Sequence, residues 1–231
     1  MATHFSQAGI KFLTGLKRHN ERVWFDARKS VYEGELKAPM LAVIDEVNAA
    51  METFAPEHVR PAQKCMMRIY RDIRFSKNKD PYKTNVAAWW ARQGLEKTSG
   101  AGFYFHMTAT EVVIAAGAYM PEKDQTLAIR RMLLKQHDEM RAMLSARALK
   151  TAGMTPIDGM KMSRGPKGFP ADHPAMDLIL QRQWGVGATL PVDVALGPGL
   201  VKEIAKRFKL AAPMVALLNE PLSGGAKKPM F

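Results

Sequence analysis

Residues 68–83 read RIYRDIRFSKNKDPYK, a stretch in which basic, aromatic and apolar side chains alternate. Between Lys64 and Lys83 there are seven basic residues and only two acidic ones. In a strand, successive side chains point to opposite faces. One face would then carry mainly apolar groups: Cys65, Met67, Ile69, Ile73 and Phe75, with Arg71 as the exception. The other face would carry Arg68, Tyr70, Asp72 and Arg74, so the pattern predicts a strand with a buried face and a cationic face that holds an anion.

Further strands are expected after this stretch. Lys64–Tyr70 and Val86–Trp90 are the first two strands of the prediction, and Val112–Ala118 is the last. Between them, Gly102–Met107 alternates, with Phe103, Phe105 and Met107 on one face and Tyr104 and His106 on the other. Four consecutive strands with short connections favour an antiparallel meander.

Three helices are expected before the strands. Ser6 suits the N-cap of the first helix, and Asn20 suits that of the second, which should end before Pro39. The third helix begins near Pro39 and spaces its apolar residues for one buried face: Met40, Ile44, Val47 and Met51. The aromatic and methionine side chains of these helices are interpreted as core.

Helices are expected again after the strands. Pro121 and Asp124 open a long helix with an apolar stripe: Ile129, Leu133, Gln136, Met140 and Leu144. Its other face is basic and is interpreted as solvated surface: Arg130, Arg131, Lys135, Arg141 and Arg147. Further helices are expected from Asp172, with Trp184 still at helical spacing, from Leu200 and from Pro213, whereas residues 185–199 are rich in loop signals.

This order of elements predicts a single α+β domain over residues 1–222. A largely antiparallel sheet, from about residue 64 to residue 118, would pack against the N- and C-terminal helices. Residues 223–231 contain Gly-Gly and two lysines and are expected to form a flexible basic tail.

The composition is that of a globular protein with an unusual charge. The net charge of +12 favours acidic partners, namely phosphorylated metabolites, nucleic acid or an anionic membrane surface, although many proteins are basic without such a partner. Cys65 is the single cysteine and the N-terminus lacks a signal-peptide pattern, so a cytoplasmic location is expected. The longest uncharged run has 13 residues, and a membrane span needs about 18 or more, so no membrane association is expected.

Several familiar chemistries are poorly supported by the sequence. The six histidines are scattered and make no zinc-type spacing, so no metal site is predicted. No Gly-x-Ser-x-Gly elbow occurs, and Cys65 lies on the apolar side of its stretch. Neither a P-loop nor a Gly-x-Gly-x-x-Gly fingerprint is present. No cofactor is assigned.

The basic stretch is therefore the candidate site. Arginine stays charged and binds phosphate or carboxylate through two parallel hydrogen bonds. The candidate ligand-binding residues in and near the stretch are Arg68, Tyr70, Arg71, Arg74, Lys79, Tyr82, Lys83 and His106. Asp72 could orient the guanidinium groups or act as a general base, and the alternative is a structural ion-pair ladder through Arg68, Asp72 and Arg74.

A second segment is predicted to close the same site. Arg164 and Lys167 lie in a loop whose glycines permit close backbone approach to a ligand. His173 follows at a predicted helix start, where free N–H groups attract anions. His173 and Asp72 are therefore the candidate catalytic residues, with proton transfer as their role. The alternative is that Asp172 caps a helix while the basic loop residues face water.

Two functions from different classes fit these residues. The first is a pocket, in an enzyme or a binding protein, for a phosphorylated or carboxylated small ligand. The second is a nucleic-acid-binding module, in which tyrosines and tryptophans stack on bases and the basic surface continues onto the Arg130–Arg147 helix face. Asp72 would repel a phosphate backbone, which favours the pocket. A partner-binding scaffold stays open as a third interpretation, as do the ligand, the reaction and the oligomeric state.

The chain resembles a bacterial and fungal family known as domain of unknown function 2461. The resemblance rests first on Asn20, Trp24-Phe25, the residues from Arg68 to Lys77, Lys79 and Pro81 to Asn85. It continues through the Tyr104–Gly117 strand pair, Pro166 to Phe169 and Asp172 to Pro174, so that it covers nearly the whole chain. The resemblance supports the position of the site and implies no particular reaction.

Overall fold

The computed structural model describes residues 4–74, 76–94 and 100–222. The helices are α1 Gln7–Arg18, α2 Arg22–Asp26, α3 Lys29–Tyr32, α4 Ala38–Met51, α5 Ala62–Cys65, α6 Lys123–Ser145, α7 Arg147–Thr151, α8 Met176–Ile179, α9 Asp193–Leu196 and α10 Leu200–Asn219. The strands are β1 Val86–Ala91, β2 Gly102–Met107, β3 Glu111–Ala118, β4 Thr155–Pro156 and β5 Trp184–Pro191. The predicted tail, residues 223–231, and Phe75 lie outside the described residues.

The strands form one antiparallel sheet in the order β1-β2-β3-β5-β4. The predicted α+β class is confirmed, as are the meander of β1, β2 and β3 and the alternation of β2, whereas β1 is buried on both faces. The sheet nevertheless extends well beyond residue 118, because β5 pairs along the whole of β3.

Strand β5 was missed because its first half is Gly-rich. Gly185 lies directly opposite Gly117 in the β3–β5 pair. A Cβ atom on Gly117 would lie 2.2 Å from the carbonyl oxygen of Trp184, and its φ of 142° is also strained for other residues. The glycines that resemble loop signals therefore allow two backbones to approach closely inside a sheet.

Helices α4 and α10 cover one face of the sheet. The ring of Phe208 on α10 packs against Trp90 and Phe103, at centroid distances of 5.3 and 4.9 Å. Asn48 on α4 accepts a 2.9 Å hydrogen bond from the indole N–H of Trp90. The opposite face, with Tyr104 and His106, is only partly covered, which is typical of an antiparallel sheet.

Several local predictions were wrong for identifiable reasons. The start of the predicted first strand is helical (α5), and the rest is extended chain with only isolated bridges. The predicted helix break before Pro39 is absent, because a π-helical turn, Glu33–Lys37, joins α3 to α4, and Pro39 lies in the first turn of α4. Likewise, α10 continues through Pro213, and Trp184 begins a strand rather than ending a helix.

Other details of the helices are confirmed. The hydroxyl of Ser6 caps α1 by accepting a hydrogen bond from the amide of Gly9. The spacing of Met40, Ile44, Val47 and Met51 does bury all four side chains on α4. Helix α6 has the predicted apolar stripe but contains one non-helical residue, Gln136.

Candidate anion-binding site

The arginine-rich stretch forms an irregular hairpin beside β1. Met66 pairs with Ala88, and Tyr70 pairs with Tyr82. The amide of Arg71 donates to the carbonyl of Pro81 at 2.9 Å, and that of Lys83 donates to Ile69 at 2.7 Å. Because Pro81 has no N–H group, the ladder cannot continue regularly. We call residues 66–83 the arginine hairpin.

The predicted alternation of burial holds within this hairpin. Ile69 is buried, whereas Arg68, Asp72 and Arg74 are exposed. Met67 and Ile73 are half-buried rather than buried. The sequence therefore predicted the orientation of these side chains even though the segment is not a regular strand.

Asn20 joins the hairpin to the N-terminal helices. Its side-chain amide donates to the carbonyl of Tyr82 at 3.1 Å and accepts from the amide of Tyr82 at 3.0 Å. The predicted capping role was wrong, since Glu21 is the N-cap residue of α2. Asn20 instead completes the hydrogen bonds of a backbone edge that the hairpin leaves open.

Three aromatic rings fill the space between α2 and the hairpin. Phe25 stacks on Tyr82 at a centroid distance of 4.1 Å, and Tyr70 lies 5.3 Å from Tyr82. Tyr82 is 2% exposed and Tyr70 is 49% exposed. The inner ring therefore fixes the hairpin on α2, while the outer ring offers an apolar surface to a ligand.

The rings border a cleft of about 350 Å³ between α2 and the arginine hairpin. Its lining residues are Arg22, Asp26, Tyr70, Arg71, Ile73, Pro81 and Tyr82. We call it the tyrosine cleft. Three of the predicted ligand-binding residues, Tyr70, Arg71 and Tyr82, are brought together in it.

Each part of the tyrosine cleft combines positive and negative charge. Arg22 and Asp26 lie four residues apart on α2, and a guanidinium nitrogen of Arg71 lies 3.8 Å from a carboxylate oxygen of Asp80. Burial and the negative charge of Asp26 raise the pKa of Tyr82. Its phenol therefore stays protonated at neutral pH and can donate a hydrogen bond.

Asp72 and Arg74 form an exposed bidentate ion pair. The Nε and Nη2 groups of Arg74 donate to the two carboxylate oxygens of Asp72 at 3.0 and 2.8 Å. These bonds, with a third from the Arg74 amide, lower the pKa of Asp72 to about 2. Such a carboxylate is a weak proton acceptor at neutral pH, so this pair resembles the predicted structural ladder more than a general base.

The other predicted residues of the hairpin have different environments. Arg68 is exposed and Lys83 is half-buried. The ammonium group of Lys79 donates to the carbonyl of Ile73 at 3.0 Å and so helps to close the hairpin loop. His106 lies on β2, where its Nδ1 is 3.0 Å from the Tyr104 hydroxyl and burial lowers its pKa. His106 does not line the tyrosine cleft.

The structure does not bring the second predicted segment to the arginine hairpin. The hairpin lies beside β1, whereas Arg164, Lys167 and His173 lie in the connection from β4 to β5, at the opposite edge of the sheet. Arg164 and Lys167 are exposed. The Nδ1 atom of His173 accepts from the amide of Ala175 at 3.1 Å, and its ring packs against His137.

This connection is instead held against α6. The guanidinium group of Arg141 donates to the carboxylate of Asp177 at 2.6 Å and to the carbonyl of Pro174 at 2.7 Å. Arg141 is therefore paired rather than part of a free basic face. Arg130 is also buried, so the interpretation of this face as fully solvated was wrong at these two positions.

Sequence reasoning missed the contribution of α2 to the tyrosine cleft. Arg22 and Asp26 share one side of the short helix that also carries Phe25. The signal in the sequence was the i, i+4 spacing of Arg22 and Asp26 around Trp24-Phe25, one of the motifs shared with the family. What the sequence did not show was that α2 packs against a hairpin some 50 residues later.

Two further findings concern metal ions and membrane spans. Within residues 4–74, 76–94 and 100–222, no group of three or more His, Cys, Asp or Glu side chains is arranged to hold a metal ion. In the same part of the chain, every helix is too short or too polar to cross a membrane.

These features define a protein of the α+β class with a mixed-charge cleft beside an irregular sheet edge. Residues 8–216 match a family described as conserved hypothetical protein, domain of unknown function 2461. The chain belongs to this family, which confirms the resemblance found in its sequence. No curated protein matches the chain.

Proposed function

We propose that the chain binds a small phosphorylated or carboxylated ligand in the tyrosine cleft. The observation that carries the proposal is the presence of two guanidinium groups, from Arg22 and Arg71, in one cleft with tyrosine walls. Guanidinium groups bind oxyanions through paired, charge-assisted hydrogen bonds. A volume of about 350 Å³ lies within the range of roughly 300–1,000 Å³ that is usual for small-molecule sites.

The arrangement of charges favours a small ligand with both donors and acceptors. Arg22 and Arg71 supply positive charge, and the exposed carboxylate of Asp26 accepts hydrogen bonds at the same cleft. The half-exposed ring of Tyr70 supports an apolar or planar part of the ligand. A phosphorylated or carboxylated molecule that also carries hydroxyl or amino groups satisfies all three features.

No reaction is included in the proposal. The low pKa of Asp72 and the distance of His173 from the arginine hairpin, across the sheet, do not support a shared proton-transfer site. Catalytic roles for these two residues stay predictions from the sequence. A cytoplasmic location is likewise proposed only from the lone, buried Cys65.

Nucleic-acid binding is the alternative, and one observation favours it. Arg68, Arg74, Lys77 and Lys79 are all exposed on the arginine hairpin. A continuous track onto α6 would strengthen this alternative, but Arg130 is buried and Arg141 is paired with Asp177. The basic surface is therefore local to the hairpin, which favours the small ligand.

The proposal is tested by calorimetric titration with phenyl phosphate and with benzoate, which share a ring and differ in the anionic group. Arg71→Ala should weaken binding at this cleft by about tenfold or more, because it removes a charged hydrogen-bond donor. Arg131→Ala removes an exposed arginine from α6 and is the matched control, for which unchanged binding is expected. Equal binding by Arg71→Ala and the parent protein would contradict the proposal.

Two further binding measurements test the nucleic-acid alternative and the predicted role of Arg164, Lys167 and His173. Binding of a single-stranded oligonucleotide should be weak and should fall by orders of magnitude near 0.2 M salt, because phosphate contacts release counterions. Specific binding that survives such salt would favour the nucleic-acid function. Arg164→Ala, Lys167→Ala and His173→Ala should leave the phenyl phosphate response intact, and a lost response would return this segment to the site.

A further inference from the structure

A second cleft, of about 400 Å³, lies between the loop after β3, the first turns of α6 and the chain on either side of α8. Its lining residues are Met120, Pro121, Lys123, Thr126, Arg130, Met160, Met162, Arg182 and Gln183. We call it the Arg130 cleft. It shares no lining residue with the tyrosine cleft.

Arg130 is buried in this cleft without a counter-charge. Its side chain is 8% exposed, and one terminal nitrogen donates to the carbonyl of Gln181 at 2.9 Å and to the sulfur of Met162 at 3.0 Å. Nothing in the described part of the chain accepts a hydrogen bond from its Nε group. Among the described residues, no carboxylate forms an ion pair with Arg130, and a buried charge without a partner is costly.

The surrounding charges add to this positive potential rather than balance it. Arg182 and Lys123 also line the cleft, and its lining includes no acidic residue. Burial and the nearby charge of Arg182 lower the pKa of Arg130. Asp158 does not line the cleft, and one oxygen of its carboxylate accepts a hydrogen bond from the amide of Met160 at 3.0 Å.

Gln183 supplies a second buried polar group without a full set of partners. It is 6% exposed, and its amide nitrogen donates to the carbonyl of Asp158 at 2.6 Å. Its side-chain oxygen has no hydrogen-bond partner within residues 4–74, 76–94 and 100–222. Two buried side chains that line one cleft, Arg130 and Gln183, therefore each keep an unpaired polar atom.

Methionines form the apolar part of the Arg130 cleft. Met120 and Met160 are 62% and 47% exposed, which is high for such side chains. Both have positive φ angles, 46° and 50°, an uncommon backbone conformation for residues other than glycine. Methionine adapts its shape to apolar ligands, since its side chain is unbranched and flexible.

We propose that the Arg130 cleft binds a small organic anion, with its oxyanion group between Arg130 and Arg182 and its apolar body against Met120 and Met160. This ligand supplies the counter-charge that the protein does not provide. The site is separate from that of the proposed function and does not depend on it.

The test uses the full chain with ¹³C-labelled methionine methyl groups and phenyl phosphate, benzoate and benzyl alcohol as probes. Binding of the two anions should shift the signals of Met120, Met160 and Met162, whereas the uncharged alcohol should shift them far less. Which anion binds more tightly distinguishes a phosphate from a carboxylate ligand. An absence of shifts with both anions at millimolar concentration would overturn the proposal.

Two variants locate the site. Arg182→Ala changes an exposed residue and should weaken binding about tenfold. Arg130→Met should abolish the methionine shifts while leaving the melting temperature equal or higher, because it replaces an unpaired buried charge by an apolar side chain of similar length. Arg131→Ala is the control on the same helix and should bind as the parent chain does.

The methionine signals also distinguish the Arg130 site from the ligand site proposed in the tyrosine cleft. Arg71→Ala should leave the methionine shifts unchanged, since Arg71 lies in the tyrosine cleft. Equal methionine shifts in Arg182→Ala, Arg130→Met and the parent chain would overturn the Arg130 site while leaving the proposed function untouched.

Discussion

The tyrosine cleft and the Arg130 cleft differ in how their arginines are balanced. In the tyrosine cleft, Arg71 lies 3.8 Å from Asp80, and Arg22 shares the wall with Asp26. In the Arg130 cleft, three cationic residues meet no acidic lining residue, and Arg130 itself is buried. The first cleft thus has its charges largely compensated by the protein, and the second does not.

The difference shows that density of charge along the sequence is a poor guide to unpaired charge in the structure. The arginine hairpin contains its own acids, so that Asp72 pairs with Arg74 and Asp80 lies near Arg71. In the Arg130 cleft, Lys123 and Arg130 come from α6, whereas Arg182 comes from the distant chain after α8. Of the two acidic residues that flank Lys123 in the sequence, Glu122 uses its side chain to cap α6, and neither lines the cleft.

The largest expected effect is on the β3–β5 pair, which leads at one end into Met120 and Gln183 of the Arg130 cleft. Gly117→Ala would place a Cβ atom 2.2 Å from the carbonyl oxygen of Trp184. Strain and overpacking together should lower the free energy of unfolding by roughly 3–5 kcal/mol, measured by urea denaturation. Separation of β3 from β5 should also abolish the anion response of Met120 while the tyrosine cleft keeps its own.

Gly168→Ala is the control for this change. Gly168 has a φ of 87°, but nothing lies within 4 Å of the added atom. Its free energy of unfolding should fall by only about 1 kcal/mol, which is the cost of the backbone conformation alone. A similar loss of unfolding free energy in the two variants would show that the close approach of β3 and β5 does not cause the destabilisation.

A smaller effect is expected from Asn20→Ala at the tyrosine cleft. The substitution removes both hydrogen bonds to the backbone of Tyr82. We expect a loss of about 2 kcal/mol in the free energy of unfolding, with phenyl phosphate binding weakened at this cleft alone.

Asn78→Ala is the matched control for Asn20→Ala, because among the described residues the side chain of Asn78 bonds only within its own exposed turn, to the amide of Asp80. It should cost no more than about 0.5 kcal/mol. Methionine shifts that change in Asn20→Ala would indicate that the two clefts are coupled.

Asp80→Asn should leave the positive charge of the tyrosine cleft less compensated, as it is in the Arg130 cleft. It removes the negative charge beside Arg71 and leaves that guanidinium free for a ligand. The exposed pair contributes at most about 1 kcal/mol, so anion affinity should rise by no more than about fivefold. Calorimetry that shows weaker binding would mean that Asp80 contacts the ligand itself.

The smallest effect concerns the titration of Asp72. Its pKa of about 2 lies below the ordinary value because Arg74 bonds the charged form. The pair therefore stabilises the fold fully above pH 4, and its contribution is lost as the pH falls toward 2. The carboxyl carbon signal should titrate near pH 2 in the parent chain and near the ordinary pKa in Arg74→Ala. Equal midpoints in the two proteins would rule out the pair in solution.

The parts of the fold that could be predicted are those in which apolar and polar side chains alternate regularly along the sequence. Gly102–Met107 alternates without interruption, and β2 has these same limits. Strand β5 also alternates, with Trp184, Val186, Ala188 and Leu190 on one face, but Gly185 and Gly187 between them resemble loop signals and obscure the period. The segment from Lys64 alternates well but is not a regular strand. Its burial follows the alternation of side chains, whereas its hydrogen bonding depends on the facing segment of the hairpin, where Pro81 has no N–H group.

The candidate site was predictable in part. The sequence predicted Tyr70, Arg71 and Tyr82, because their types and spacing suggest an anion site. It did not predict Arg130 as a buried residue, although Arg130 lies beside Ile129 at the border of the apolar stripe. A border position is buried only if another segment covers it, and residues 160–162 and 181–183 provide that cover through tertiary packing alone.

The irregular edges of the sheet have a consequence for association between copies of the chain. One edge ends in β4, a strand of two residues that contains Pro156. At the other edge, the arginine hairpin covers the start of β1, and His58 and Glu57 hydrogen-bond to Trp90 and Gln93 at its end. Short, proline-containing and cationic edges offer a poor template for an incoming strand. The irregular hairpin thereby protects the chain from strand-by-strand aggregation, whatever ligand its arginines bind.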